Sequence, residues 1–302
     1  MTLILGSLQL GLFYGLLALG VYITFRVLNL PDLTVDGSFT LGLAVSAVCT
    51  VAGHPLLGLG LATLAGALAG CVTGLLQTKV GIHPILAGIL TMSGLYSVNL
   101  LVMGARSNLS LIGQDTLFSL LQGAAPFLGK DGSMLFAGVL IAAVCAAVLI
   151  WFFKTQLGLS IRATGDNEAM VRASSIPVGA VKVIALAVAN GCVGLSGAVI
   201  AQFQGFADVS SGTGMVVVGL ASVIIGEVIA GKRSVTVGLL SAILGSIVYR
   251  LIIALALQTS IFPSYMLKLV SAVIVASALA IPAGKRALSE RKMRVGRRDR
   301  HA

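Results

Sequence analysis

Ten acidic residues, three histidines and four cysteines are what this 302-residue chain offers for acid–base, nucleophilic or metal chemistry. They form no catalytic constellation. His54, His83 and His301 are scattered, with no HExxH or Ser/His/Asp arrangement. Cys49, Cys71, Cys145 and Cys192 fall inside apolar runs without CxxC spacing, so neither a zinc site nor a disulfide framework is indicated. They read as small core residues. One motif comes close to chemistry: Gly226-Glu-Val-Ile-Ala-Gly231-Lys232-Arg233 nearly spells the phosphate-cradling GxxxxGK[ST] loop. Position 233 is Arg, so the magnesium-binding hydroxyl is missing, and the run lies in an apolar span instead of a strand–loop–helix unit. The chain is expected to be non-catalytic, to hold no cofactor or metal, and not to hydrolyse ATP itself.

Transport chemistry is a better match. Ionisable residues at membrane depth are costly and need a reason. Two polar segments break apolar runs: Asn29-Leu-Pro-Asp32-Leu-Thr-Val-Asp36-Gly-Ser38, and Gln202 to Gly214, which carries Asp208, Ser210 and Ser211. Each precedes a Gly-Leu-Ala triplet, at Gly42 and at Gly219, one residue out of step when counted from Asp32 and Asp208. Broken helices at corresponding places in two halves point to a translocation path; ordinary interfacial loops are the plainer alternative. The pathway candidates are therefore Asn29, Asp32, Asp36, Ser38, Asp208, Ser210, Ser211 and Arg250. Arg250 could pair with Asp208 or face a polar cavity. Glu227 could pair with nearby Lys232 and Arg233 or with a cytoplasmic partner, and snorkelling suffices for Lys268.

The elements that must position these residues are membrane helices. The chain is 57% hydrophobic and only 10% charged, where a soluble domain would carry about a quarter charged residues. Runs long enough to cross the bilayer, about 20 residues each, fall near 3–25, 55–77, 83–103, 133–153, 181–202 and 235–257. Shorter ones lie near 39–53, 215–231 and 264–283. The expectation is an all-α polytopic domain, 1–284, of about nine spans, eight or ten also fitting, followed by a basic tail, 285–302. The first run lacks a signal peptide's basic start and cleavage site, so it is read as a retained span.

Net charge is +10, but eight of the twenty Lys and Arg lie in the tail, without interleaved aromatics. That suits a cytoplasmic, lipid-facing tail better than nucleic-acid binding. Placing the tail and loop 154–182 inside also puts Arg26, Lys79, Lys232 and Arg233 inside, sixteen of twenty basic residues in all, and leaves Arg106 and Lys130 outside. The outer loop 104–132 contains DTLFSLLQGAAPFLG, which fits either a surface amphipathic helix or the mouth for a binding protein. Glycines at contact spacing (Gly11/Gly15, Gly66/Gly70, Gly191/Gly194/Gly197) read as helix-packing positions.

The long polar interruption Lys154–Lys182 reads as carrying a short helix over 164–174, with Thr164 and Asp166 capping its first turn, Glu168 at that end and Arg172 at the other. A new helix is expected from Ser175-Ile176-Pro177, with Ser as N-cap. A solvated loop is the plain reading. The pattern Gly158, Ile161-Arg162-Ala163, Asp166-Asn167, Ala169, Ile176, Ala185, Asn190-Gly191, Gly194, Gly197-Ala198 resembles the cytoplasmic loop of bacterial ABC-importer permeases of the branched-chain amino acid/ribose type. The resemblance extends to Gly11–Gly42 and Gly219–Glu227.

That resemblance implies a type II importer-like permease subunit in the bacterial inner membrane with its C-terminus cytoplasmic. It implies a homodimer around a central pathway, two copies of an ABC ATPase, and an extracytoplasmic substrate-binding protein. The coupling helix docking on the ATPase would then comprise Thr164, Gly165, Asp166, Asn167, Glu168, Met170, Val171 and Arg172. Branched-chain members usually carry a short Asn-Phe-Ala-His-Gly-Glu type segment after the first span; the longer Asn29–Ser38 looks more like a less characterised branch. Its implied cargo is an amino acid, aromatic ones included, or another small polar solute. Two further readings compete. An ion-coupled secondary transporter would use the Asp32/Asp36 pair but leave the loop pattern unexplained, and a membrane scaffold would leave the two breaks unexplained.

Overall fold

A computed structural model describes residues 2–258, except 125–128 and 232–233, together with Leu269, Ala272, Val273 and Ala276. The ninth apolar run, Lys268 and the basic tail lie essentially outside the described residues. Within them, eight helices are long and apolar enough to span a membrane. The expected all-α polytopic architecture holds.

Helix α1 (Thr2–Tyr22) runs into a π-helical turn, Ile23–Val27. After the break come α2 (Thr34–Val51), α3 (Pro55–Thr78) and α4 (Pro84–Val102), the last two each with Pro in the first turn, where its missing N–H is harmless. The next segment holds β1 (Asn108–Ser110) and α5 (Leu117–Ala124) before α6 (Gly129–Phe152). The polar loop folds as α7 (Gln156–Asp166) and α8 (Glu168–Ala173). Helix α9 (Val178–Gln204) leads through β2 (Phe206–Asp208) and a 3-10 turn, Val209–Gly212, into α10 (Met215–Ala230), followed by α11 (Val235–Gln258).

The core is built around α9, which packs on α3, α2 and α1, while α1 packs on α10 and α11. Seventy-two per cent of the apolar windows of α2 and α9 is buried, against 28% for α4 and α6. The first pair is therefore central and the second peripheral, with Leu90, Leu101, Val144 and Trp151 turned outward. Close approach depends on small residues: a Cβ on Gly66 would strike the Asn190 carbonyl, and one on Gly194 the Ala62 carbonyl. In lipid such backbone contact replaces the hydrophobic drive as the force between helices. Gly11 and Gly15 lie against Ile247 and Ile243 of α11, as the glycine spacing predicts.

The segment between α4 and α6 is a packed layer. β1 pairs antiparallel with β2, placing Asn108 opposite Asp208. Phe118 of α5 is buried against Phe13 and Phe203, so α5 packs on the middle of α1 and the C-terminal end of α9.

Candidate functional site

The polar loop differs from the expected single helix. Thr164 does not cap a new turn: its hydroxyl donates to the Ser160 carbonyl inside α7. Asn167 is the cap of α8, its Oδ1 accepting the Met170 amide at 3.1 Å; an extended residue with an acceptor side chain at this position satisfies an otherwise orphan donor. Asp166 ends α7 instead of starting α8. The following helix starts at Val178 with Pro177 in the cap position, because Ser175 takes a left-handed φ of 60°. Met170 is 56% exposed, whereas Val171 is 1% exposed and supports α8 from inside, which removes Val171 from any docking face.

Glu168 accepts from Lys182 Nζ at 2.7 Å and from Arg172 at 2.9 Å. The Lys182 hydrogen bond holds its carboxyl below the usual range. Beneath α8, a polar groove of about 350 Å3 separates it from the α3–α4 turn at Gly81–Pro84. Gly165 presses on the Val27–Leu28 backbone, where a Cβ would not fit, and Asn29 Nδ2 donates to the Gly165 carbonyl at 3.1 Å. Asn29, φ 54°, thus seats the polar loop.

Just beyond that seat, Asp32 is 6% exposed and belongs to a buried polar chain. Its carboxylate accepts the Thr34 amide at 2.9 Å and Asn190 Nδ2 at 2.8 Å. Thr34 then meets Thr73 at 2.8 Å, and Thr73 meets Thr91 at 3.0 Å. Four elements are tied by these side chains, with Asn190 Oδ1 left without a partner among the described residues. Ser38 is wholly buried within α2, its hydroxyl likewise unpartnered. Neither Asp32 nor Ser38 lines the cavity that opens beside the next turn of α2.

Asp36 does. Its Oδ2 accepts the Gly214 amide and its Oδ1 the Val216 amide, both at 2.8 Å. A carboxylate in the first turn of α2 therefore caps α10, and the two broken segments meet at their helix starts. The contact borders a cavity of about 390 Å3 whose walls include Thr40, Ser93, Tyr96, Asn99 and Thr213. The α4 members were missed in the sequence because α4 reads as a uniformly apolar span; the Ser93/Tyr96 spacing on one helical face was the available signal. Asp32 and Asp36 have separate partners.

The second segment is structural at its start. Gln202, 3% exposed, donates to Ser46 and to the Pro55 carbonyl and accepts the Leu117 amide at 2.8 Å. Asp208 accepts from Ser210 and Asn108, and the Ser210 hydroxyl holds its carboxyl below the ordinary range. Ser211 is half-buried beside it. Arg250 does not pair with Asp208: its guanidinium stacks 3.7 Å over the Tyr14 ring. Glu227 is engaged by Arg26, which reaches it with two guanidinium nitrogens from the π-helical turn after α1. Lys232 and Arg233, the partners expected for Glu227, lie outside the described residues. Among the described residues no group of three or more His, Cys, Asp or Glu is placed to hold a metal.

Residues 3–279 match the protein family described as "Branched-chain amino acid transport system / permease component". The chain is 36% identical to a "Tyrosine transport system permease protein" of Clostridioides difficile, over 93% of this chain and 91% of the relative. It is 35% identical to an uncharacterized Rickettsia prowazekii protein over 75% of this chain and 77% of the relative. It is also 29% identical to the "Autoinducer 2 import system permease protein LsrC" of Escherichia coli, over 75% of this chain and 63% of that one. No solved structure matches the chain. With its apolar helices and its match along nearly the whole length, the chain belongs to the branched-chain amino acid transport permease family, as a multi-pass inner-membrane permease component of an ABC-type importer for small solutes.

Proposed function

We propose that this chain forms the homodimeric membrane pathway of an ATP-driven importer, docked on two ATPase subunits through α8 and supplied by an extracytoplasmic binding protein. The domain 1–284 carries the pathway and the tail 285–302 is cytoplasmic. The observation that carries the reading is the seating of the polar loop. An exposed apolar residue, Met170, stands on a capped short helix, while Gly165 at its base rests on the Val27–Asn29 backbone. A push on α8 is thereby delivered to the break between α1 and α2, and through Asp36 to the start of α10. The groove under α8 leaves room for that movement. A ligand shifts such an equilibrium only by its differential affinity for the two states; here nucleotide acts at the inner end and the loaded binding protein at the outer end.

The cargo is proposed to be an amino acid or a similar small polar solute, in keeping with the name of the tyrosine-transport relative. The test is co-purification of the cognate ATPase. Met170→Asp places a desolvated charge in the docking contact, where leaving a charge unpaired costs several kcal/mol, and recovery of the ATPase should fall at least tenfold while membrane insertion persists. Undiminished recovery removes α8 as the docking element.

A further inference from the structure

The cavity between α2, α4 and the 3-10 turn has a chemical sign. Asn99 is 1% exposed, and its Nδ2 donates to the Gly37 carbonyl. That contact, at 3.4 Å, orients Nδ2 toward the carbonyl, and Asn99, a residue of the cavity wall, keeps its Oδ1 buried without a hydrogen-bond partner among the described residues. Buried acceptors are seldom left unused. Asp36 stands on the same wall; its oxygens accept the Gly214 and Val216 amides, with the Met215 amide also turned toward them, and a carboxylate has about four acceptor positions, so capacity remains. Among the described residues the wall contains no Lys, Arg or His. Met92 and the half-exposed Tyr96 ring supply the apolar remainder. Ser93 and Tyr96 are also exposed at span depth, where polar groups face protein or water, not lipid.

We propose that this cavity is a subsite for the ammonium group of the transported solute, with Asn99 Oδ1 and Asp36 as its acceptors and Tyr96 and Met92 packing the attached carbon skeleton. The proposal rests on the pathway reading above and sharpens it: neutral polyols and purely anionic solutes lack the positive charge that pairs with Asp36.

The probe is thiol modification of the purified full chain carrying Ser93→Cys, or Thr213→Cys from the opposite wall, with the parent chain as background. The expected result is that the ratio of the trimethylammonium-bearing methanethiosulfonate's rate to the sulfonate-bearing one's exceeds, by about tenfold, the ratio the same two reagents show with a free small thiol, since one partly desolvated charge a few ångströms away suffices for that excess. Asp36→Asn and Asn99→Leu should each lower the ratio while the size-exclusion profile stays unchanged. L-tyrosine methyl ester should slow the cationic reagent, and 3-(4-hydroxyphenyl)propionate should not. A ratio no higher than that of the free thiol at both positions overturns the subsite but leaves a water-filled path. No reaction at either position overturns the subsite and the pathway reading together, without touching the docking assignment at Met170.

Discussion

Asp32 and Asp36 are four residues apart and have opposite consequences when neutralised. Asp32 accepts at both oxygens within a buried chain. Asn at this position must turn an amide donor toward another donor, which costs about 1–3 kcal/mol. Asp32→Asn should lower the thermal midpoint of the purified chain, and an unchanged midpoint would contradict the buried network. Asp36→Asn also turns an amide donor toward one of the two α10 amides, but Asp36 borders the cavity, where water can take the displaced amide, so assembly should persist while loss of the charge lowers uptake. Glu168 supplies the pH prediction. Its folded carboxyl is held below the ordinary value by Lys182, so its contribution is complete at neutral pH and lost as pH falls below about 4.3 through the carboxylate range. A nitroxide at Ala169→Cys should become more mobile on acidification, and Glu168→Gln should remove most of that pH dependence.

At the level of elements, the chain is assembled by backbone contact and by short polar ties. The contact glycines were legible from their spacing alone, and so were the two broken segments. That their helix starts meet was not legible, because Asp36 and Gly214 are joined across 178 residues by amide bonds without sequence pattern. The α7–α8 division was hidden for a related reason. Thr164, Asp166 and Asn167 are all competent caps, and only tertiary seating of Gly165 against Val27 decides among them. Gly165→Val should therefore separate docking from response: the ATPase should still co-purify through Met170, while substrate-stimulated ATP hydrolysis drops severalfold. If coupling survives this substitution, the push does not run through the α1–α2 break.

For the whole molecule, composition was enough to establish a polytopic helical protein, and the match over residues 3–279 places it among permease components. Charge asymmetry predicts orientation, with the 154–182 loop inside and the β1–α5 layer outside. Ser119, exposed on α5, should when changed to Cys be labelled from outside in intact cells; labelling confined to inverted vesicles would reverse the topology. Arg250, Glu227 and Gln202 were the least legible residues. Their partners Tyr14, Arg26 and Pro55 are distant in sequence and identified only by packing. The central claim is that solute entry through this chain is powered by ATP at a partner docked on α8. It is tested most directly by uptake of labelled L-tyrosine into proteoliposomes holding the chain, its cognate ATPase and the binding protein. ATP trapped on the ATPase side should drive accumulation that Met170→Asp abolishes and Asp36→Asn reduces without loss of assembly. Uptake that proceeds without ATP, follows an ion gradient and ignores both substitutions would contradict it.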